Sequence, residues 1–519
     1  MNNEQEFKII AERSNEIYDS RETHNFINLL GWKGGTPYID ERLTRFPGEA
    51  TEDWDGGTRS DGSVFKGRKE TAHVVPHLTR IVEKINQYVL GVNPKREGIS
   101  EEVEKDISAN GESVTQIMKL ANSYLTVNGW CWLGIDAPFI APEEQISQEQ
   151  KEMEKIRPYW KVYSALEVVD WKIDSTGNIL WVLTEGWDYV ADSPYEVPYS
   201  QRYRQLWELG GIVTKYLYDP KSNDKIVSKE VMEISLKDIV PFVLVGKLDT
   251  EPIGFDNLES INRTILDLES CNRQNFYNSV FPQMYVPASL LDVVMQKFNV
   301  DALEAVNMIV GYNYPIFLSE GDATPGFIMP DASTIGTMRT ELDSLRNELF
   351  NSVGLMLQQD TKQVASAESK AWDHLDVEQV MKERASILQD AERKAVLISM
   401  QWDPEFPEWD PEYNSDFNIT NFKEDIEALI KANDSNLPIE MKQQIQKHIL
   451  HILDKKIKIS DEDKESIISS IDSIDSIDKI EELEDEGDDI DMNTMVDEDA
   501  EDTIRSERIS RMIEEDRRI

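Results

Sequence analysis

The sequence predicts an α+β fold that is mainly helical. Apolar residues recur at three- and four-residue steps in several long segments, which is the spacing of a helix with one buried face. Aromatic and β-branched residues are concentrated between residues 157 and 246, as expected for strands. Hydrophobic residues make up 40% of the 519 positions, so the chain can bury a sizeable core. This length suits two to four domains, or one large body with appendages.

The chain is strongly acidic, with 99 acidic and 54 basic residues and a formal net charge of −45. A large share of the acidic residues follows Ser460, and the remainder of the chain is acidic as well. Such a protein repels the phosphates of nucleic acids, which disfavours simple tight binding of DNA or RNA. A protein that lets DNA pass without holding it is compatible with this charge.

Cysteine usage and the shortness of the apolar runs lead us to expect a soluble protein made in a reducing cytosol. Cys131 and Cys271 are far apart and have no CxxC partner or neighbouring histidine, so we expect neither a disulfide framework nor a zinc site. The polar, acidic start of the chain is not that of a signal peptide. The longest apolar run, around residues 239–245, is far shorter than a membrane span.

The first half of the chain is predicted to pass from loops through helices to a sheet. Residues 1–70 are polar and rich in glycine and aspartate, which predicts loops around short elements. Apolar residues at helical spacing predict helices over residues 73–90 and 113–127. Strand-like segments from residue 157 to residue 246, with a hairpin turn at residues 175–178, predict an antiparallel sheet.

Two helices of similar length are predicted on either side of an α/β insertion. They cover residues 258–280 and 337–357, and a rise of 1.5 Å per residue makes them roughly 34 and 31 Å long. The insertion, residues 282–332, carries short predicted helices at 288–298 and 302–309. This arrangement suggests an antiparallel pair with the insertion at its tip. The apolar positions that define the pair are Leu258, Ile261, Ile265 and Leu268 in the first helix and Leu342, Leu345, Leu349, Val353 and Met356 in the second.

The C-terminal third is predicted to contain a third long helix and two small ones. A polar stretch without periodicity, residues 358–369, precedes a long helix over residues 371–402. The segment 402–416, rich in proline, tryptophan and aspartate, is predicted to be a rigid linker. Smaller helices are predicted over residues 421–432 and 437–453.

The acidic tail that follows residue 460 has low complexity, which predicts a disordered, solubilising extension. A segment that mimics DNA or docks a partner is the alternative.

No catalytic constellation is recognisable. The chain has no phosphate-binding glycine loop and no nucleophile elbow. His73 and His77 have the spacing of a metal pair, but no glutamate lies between them and Pro76 interrupts the helix start, which favours an ordinary helix entry. His448 and His451, one turn apart, fit a solvated helix face. We therefore expect no enzyme, no cofactor and no metal site. The aspartates of one glycine-rich loop, which lack the register of a calcium-binding loop, are Asp53, Asp55 and Asp61.

Several segments in this order resemble the portal proteins of tailed bacteriophages. Residues 128–130, which open an apolar strand ending in Ala-Pro, are followed by RPYW at 157–160 and EVVDW at 167–171, as in the wing of those proteins. The strand IVPFVLVGK at 239–247 is similar to the strand before their first stem helix. The sequence SAESK at 366–370 resembles the motif that follows their tunnel loop. The resemblance covers most of residues 70–450.

The resemblance implies a portal-type architecture with a wing of helices and antiparallel sheet, a two-helix stem, an α/β clip and a helical crown. The implied parts are residues 1–255 (N-terminal part of the wing), 256–281 (first stem helix), 282–332 (clip), 333–357 (second stem helix), 358–370 (tunnel loop), 371–410 (long wing helix), 411–460 (crown) and 461–519 (disordered acidic tail).

The resemblance also implies a function and its partners. A portal protein forms a homo-oligomeric ring, typically dodecameric, at one capsid vertex of the virion, and double-stranded DNA is packaged and ejected through it. Its other partners are the major capsid protein, the terminase and the head–tail adaptor proteins; it has no membrane partner and assembles in the host bacterial cytoplasm. The implied DNA-facing residues of the tunnel loop are Gln358, Gln359, Thr361, Lys362 and Gln363.

Three alternatives remain open at this point. Lys362 either forms a weak basic girdle on DNA or is an ordinary loop lysine in solvent. The apolar stripe of the stem helices packs against a neighbouring subunit, within its own subunit, or both. The chain itself is a portal or another oligomeric virion protein, such as a scaffold or neck component, that has no DNA channel; an enzyme with an unrecognised site is the alternative that its residue types favour least.

Overall fold

The computed structural model describes most of the chain up to residue 414 and parts of the remainder. The described residues are 3–46, 63–138, 157–191, 195, 197–280, 283–299, 316–319, 326–328, 332–352, 367–414, 417, 429, 431, 438–457, 464 and 466–471. The chain divides into two compact units, Met1–Asn418 and Ile419–Ile519. The predicted fold class is confirmed, because the fold is α+β and mainly helical.

Residues 1–70 were predicted to be loops around short elements, but residues 3–46 and 63–70, the part of this region that the structure describes, are largely helical. The helix α2 shows why the sequence pattern missed it: its buried face carries Arg21, Asn25 and Asn28 rather than an apolar stripe. The helix nevertheless has a clear start, since the side chain of Asn15 accepts a hydrogen bond from the backbone N–H of Ile17. The four helices are α1 (Asn3–Glu12), α2 (Glu16–Lys33), α3 (Gly35–Arg42) and α4 (Ser63–Thr71).

Three helices follow, and two of them lie close to the predicted ranges. They are α5 (His77–Leu90), α6 (Glu101–Lys105) and α7 (Val114–Asn128). The helix α5 begins four residues later than predicted, because Pro76 occupies its N-cap. A capping box between Ser113 and Gln116 starts α7, and Gly129, with a φ of 83°, ends it in the left-handed conformation that glycine tolerates.

The region from 157 to 246 forms parts of two sheets, not one. Ser164 and Glu167 form a turn that separates them, with the Glu167 N–H donating to the Ser164 carbonyl. The first sheet is antiparallel in the order β3-β2-β9, and the second is a meander in chain order from β4 to β8. Trp132 of the first sheet and Trp171 and Trp207 of the second lie in one shared apolar cluster. The strands are β1 (Lys95–Glu97), β2 (Trp130–Asp136), β3 (Tyr159–Tyr163), β4 (Val168–Ile173), β5 (Ile179–Val190), β6 (Tyr199–Glu208), β7 (Ile212–Tyr218), β8 (Ile226–Glu233) and β9 (Phe242–Gly246).

Two long helices enclose a small α/β insertion. The elements are α8 (Gly254–Val280), β10 (Gln283–Pro287), α9 (Ala288–Phe298), β11 (Ile316–Ser319), β12 (Gly326–Ile328) and α10 (Ala332–Asn351). The strand β10 lies at the centre of the insertion's sheet, parallel to β11 and antiparallel to β12. The sequence patterns predicted no strand at the position of β10, residues 283–287. The predicted helix at 302–309 lies outside the described residues.

The segment predicted to be a rigid linker is instead part of the folded core. After the helix α11 (Ala367–Trp402), the strand β13 (Asp410–Glu412) pairs antiparallel with β1. Phe406, Trp409 and Tyr413 are buried in the main apolar cluster, which also takes side chains from α5, α7, α8, α10 and α11. Burial of these large aromatic side chains stabilises the fold, and this stabilisation would be lost if the segment were a linker exposed to solvent.

The second unit contains the helix α12 (Ile439–Ile457) and a helical stretch at 466–471. Leu450 and Ile471 are buried, and the Gln443 side chain donates to the Ile471 carbonyl at 3.2 Å. The start of the tail is therefore helical at 466–471, where disorder was predicted. Of the predicted helix 421–432, only residues 429 and 431 are described, and both are helical.

Candidate functional site

The helices α8 and α10 form an antiparallel pair. The Arg346 guanidinium donates to the Glu269 carboxylate at 2.6 Å, and farther along the pair the Asn275 amide lies 3.7 Å from the Met338 sulfur. The residue number increases along α8 while that of its contact on α10 decreases, so the two helices run in opposite directions. The insertion from β10 to β12 connects the end of α8 to the start of α10.

The apolar stripe of this pair packs within its own subunit. Leu258 and Ile265 of α8 and Leu342 and Leu349 of α10 are buried in the main apolar cluster. Ile261, Leu268 and Leu345 are partly buried against the same cluster. These seven residues therefore pack within their own subunit, and an additional contact with a neighbouring subunit stays a prediction. Val353 and Met356 lie outside the described residues.

The opposite face of α8 is polar and is held by the N-terminal helices. These helices lie in the region that the sequence predicted to be loops around short elements. We call residues 16–46 and 63–71 the N-terminal brace. The brace contacts α8 over several helical turns. The α8 residues that it contacts lie on one face of the helix, because they recur at helical spacing. These partners are Asp256, Glu259, Asp267 and Ser270, which meet Arg21, Arg42, Thr44 and Arg68 respectively.

The contact at the first turn of α8 is a buried bidentate ion pair. Arg21 donates to both oxygens of Asp256, at 2.7 and 2.9 Å, and Asn28 donates to the same carboxylate at 2.7 Å. Burial by itself raises the pKa of Asp256, but the hydrogen bonds from Arg21 and Asn28 outweigh it and lower the pKa below its usual value. The carboxylate also lies at a helix N-terminus, where the helix dipole favours negative charge.

The contact one turn later repeats this pattern. Arg42 donates to both oxygens of Glu259, at 2.8 and 2.9 Å, and the Tyr38 hydroxyl donates to one of them at 3.1 Å. Next along the helix, the Thr44 backbone N–H donates to Asp267 at 2.8 Å. The brace therefore neutralises the acidic face of α8 and fixes the helix within its own subunit.

The long helix α11 is anchored by a second buried charge. Arg96 donates to both oxygens of Glu392, at 2.6 and 3.0 Å, and each side chain is at most 1% exposed. The Trp409 indole N–H and the Tyr413 hydroxyl donate to the same carboxylate at 2.9 and 2.6 Å. These bonds are the reason why the segment after α11 folds back instead of leaving as a linker.

His77, singled out in the sequence as half of a metal pair, is a buried helix-entry residue. It is the first residue of α5 and packs edge-on against Phe350 of α10, with ring centroids 5.9 Å apart. Neither ring nitrogen finds a hydrogen-bond partner in the described part of the chain. Burial, together with the positive charges of Arg346 and Arg80, lowers the pKa of His77 to about 4. The imidazole is therefore neutral at physiological pH.

We expect this histidine to make stability depend on pH. The folded pKa of about 4 lies below the value of about 6.5 for an unfolded histidine. As the pH falls through that window the unfolded chain takes up a proton that the folded chain rejects, so the free energy of unfolding decreases. Urea titrations at about pH 7 and about pH 4.5 measure this decrease, which should be smaller in His77→Gln. A control substitution at the exposed His24, His24→Gln, should leave it unchanged; an equal decrease in both variants would contradict the assignment.

Cys131 and Asp136 are two buried or partly buried side chains whose pKa is raised by burial. Cys131 is fully buried and burial raises its pKa, so it stays a thiol at neutral pH. Asp136 lines a cavity of about 550 Å³ between the two sheets, and burial raises its pKa. Its carboxylate accepts a hydrogen bond from the Tyr159 hydroxyl at 2.9 Å, which is a structural contact. Within the described part of the chain, no group of three or more His, Cys, Asp or Glu residues is placed to hold a metal ion.

The residues predicted to face DNA cannot be placed. Gln358, Gln359, Thr361, Lys362 and Gln363 all lie outside the described residues, as do the three aspartates of the glycine-rich loop. Their role stays a prediction. In the described part of the chain, no helix has the length and apolar character needed to cross a membrane.

These sites define a class: a mainly helical α+β protein built around an antiparallel helix pair that its own N-terminus braces. No protein-family model matches the sequence, and no curated protein matches it. Among solved structures, the chain is similar to one described as "Virion of native gene transfer agent (GTA) particle". The sequence identity is 10%, the alignment covers 72% of this chain and 89% of that chain, and the TM-score is 0.35. A TM-score of this size does not establish a shared fold.

Proposed function

We propose that this chain is a phage portal protein, a virion component that forms a ring at one capsid vertex and lets double-stranded DNA pass. The observation that carries the proposal is the antiparallel pair α8–α10, which bears an α/β insertion at one end and is fixed to the body of the subunit by the brace at the other. A ring that holds a DNA channel open needs such rigid, radially repeated elements.

The charge of the chain supports the same proposal. A wall built from subunits with a formal net charge of −45 repels phosphates, so DNA slides through without adhering. The role is structural and not enzymatic. The partners are further copies of the chain, the passing DNA, the major capsid protein, the terminase and the head–tail adaptors, and assembly takes place in the host bacterial cytoplasm.

The DNA channel is tested by deleting residues 359–364, which removes Lys362 and its neighbours from the proposed tunnel loop. We expect rings to assemble normally while packaging or retention of DNA falls, because the loop is proposed to act on DNA and not on neighbouring subunits. The measurement is the DNA content of assembled particles, with ring assembly checked by electron microscopy. The matched control replaces residues 359–364 with a Gly/Ser segment of the same length, which removes the side chains but keeps the length of the chain connection. Normal packaging in the deletion variant would show that the loop does not act on DNA.

The second candidate is another oligomeric virion protein, such as a scaffold or neck component, without a DNA channel. The packing of the apolar stripe into its own subunit core weakens the idea that these helices serve only to oligomerise. Particles that contain the protein but show no central channel would favour this candidate.

A further inference from the structure

A large groove lies on the surface of the first unit, between the helices α8, α10 and α11. It has a volume of about 1300 Å³. Its apolar lining comes from Leu125, Leu258, Ile261, Val380, Met381 and Ile387. Val380 is 47% exposed, although it lies in the middle of this apolar surface. We call this feature the α8–α11 groove.

A single cation, Arg384, lies among these apolar residues. It follows Val380 by one helical turn and precedes Ile387 by another, so all three line the groove from one face of α11. Its guanidinium donates to the Thr126 hydroxyl at 2.9 Å, and in the described part of the chain it forms no ion pair with a carboxylate. Burial lowers the pKa of Arg384 to about 10, so the group is still charged at neutral pH.

Among the described residues the guanidinium of Arg384 bonds a hydroxyl and interacts with the charge of the adjacent Glu383, but no carboxylate forms a hydrogen bond with it. Removing a charge from water without such a bonded partner is costly. The remaining N–H groups of the guanidinium can donate two hydrogen bonds to one carboxylate in bidentate geometry. An occupant that brings one carboxylate and an apolar surface would satisfy both parts of the groove. A helix is a suitable occupant, because residues three and four positions apart place an apolar stripe and a carboxylate on one of its faces.

We propose that the α8–α11 groove binds a helix of a second copy of this chain, whose carboxylate pairs with Arg384. The inference rests on the proposed ring, because closed rings need two different surfaces that meet between neighbours. Each copy has 99 acidic against 54 basic residues, so a second copy supplies the required carboxylates in abundance. Glu348 and Glu383 also line the groove, so a nucleic acid, which carries a charge on every phosphate, is disfavoured, whereas a helix can bring a single carboxylate to Arg384.

Photo-crosslinking of the purified protein tests the occupant. A photoreactive amino acid at Val380 should give a crosslinked dimer of subunits, detected by denaturing gel electrophoresis and mapped by mass spectrometry to a segment with an Asp or Glu. The same amino acid at Thr176, an exposed turn residue far along the chain from the groove, is the control and should give little dimer. Products within one chain only, or no product, at position 380 would overturn the proposal.

Charge variants test the role of Arg384. Arg384→Glu should lower the dimer yield at position 380 by about tenfold or more, whereas Arg384→Lys should keep most of it. Circular dichroism of each variant shows whether it is folded. The crosslinking experiment on the protein with Arg384 unchanged tests the interface even if a variant is unfolded. Equal yields in folded Arg384→Glu would overturn the carboxylate pairing. Rings without groove crosslinks would refute this interface alone, while crosslinked dimers without rings would refute the portal and leave the interface standing.

Discussion

Arg96→Ala is expected to lower the free energy of unfolding of the first unit by about 3–5 kcal/mol. The substitution leaves Glu392 buried and charged, with only the hydrogen bonds of Trp409 and Tyr413 to compensate. Because these two aromatic residues hold the segment after α11, its packing should loosen as well. Urea-induced unfolding followed by tryptophan fluorescence measures the loss, and limited proteolysis after residue 402 measures the loosening.

The neighbouring pair of Arg393 and Asp410 provides the matched control. Arg393 also joins α11 to the same segment through two hydrogen bonds to Asp410, but this pair is exposed. Solvent screens exposed pairs, so Arg393→Ala should change the unfolding midpoint little. Similar losses in the two variants would contradict the claim that the buried charge anchors α11.

Asp256→Ala is expected to be equally severe, at about 3–5 kcal/mol. It removes the acceptor of Arg21, a side chain only 2% exposed, and of the Asn28 amide. The brace should then separate from the start of α8, so hydrogen exchange should rise in α2 and in the first turns of α8. Stability measured by urea titration should fall together with this protection.

Asp40→Ala is the control within the same brace. Asp40 pairs with Lys69 at 2.8 Å, and both side chains are at least one-third exposed. A surface pair of this kind contributes within about 1 kcal/mol, so exchange in α8 should not change. If Asp256→Ala also left exchange in α8 unchanged, the brace would not be what holds this helix.

Sequence patterns predicted those elements whose buried face is apolar. The stripe from Leu258 to Leu268 indicated α8, and the stripe from Leu342 to Leu349 indicated α10, because burial of those side chains is what stabilises the pair. The helix α2 escaped detection for the opposite reason. Its buried residues are mostly polar, among them Arg21 and Asn28, and the acceptor that these two share, Asp256, lies more than 200 residues away in sequence.

The segment after α11 was misread on similar grounds. Its prolines and aspartates are typical of a linker, and residues of other elements, among them Arg96, Glu392 and Trp160, provide the buried position of Trp409 and Tyr413. The division into two sheets depends on tertiary packing of Trp132 against Trp171, with ring centroids 5.6 Å apart, which local patterns do not encode. Arg384 gave no sequence signal either, because one arginine on a charged helix is ordinary until its surroundings are known.

The central claim is that this chain forms a DNA-conducting ring, and negative-stain electron microscopy of the purified 519-residue protein tests it most directly. We predict top views of closed rings with a central hole wide enough for a DNA duplex. Asp256→Ala, in which the brace is released, should give fewer or irregular rings. Monomers, filaments, or closed assemblies without a central hole in the unaltered protein would contradict the claim.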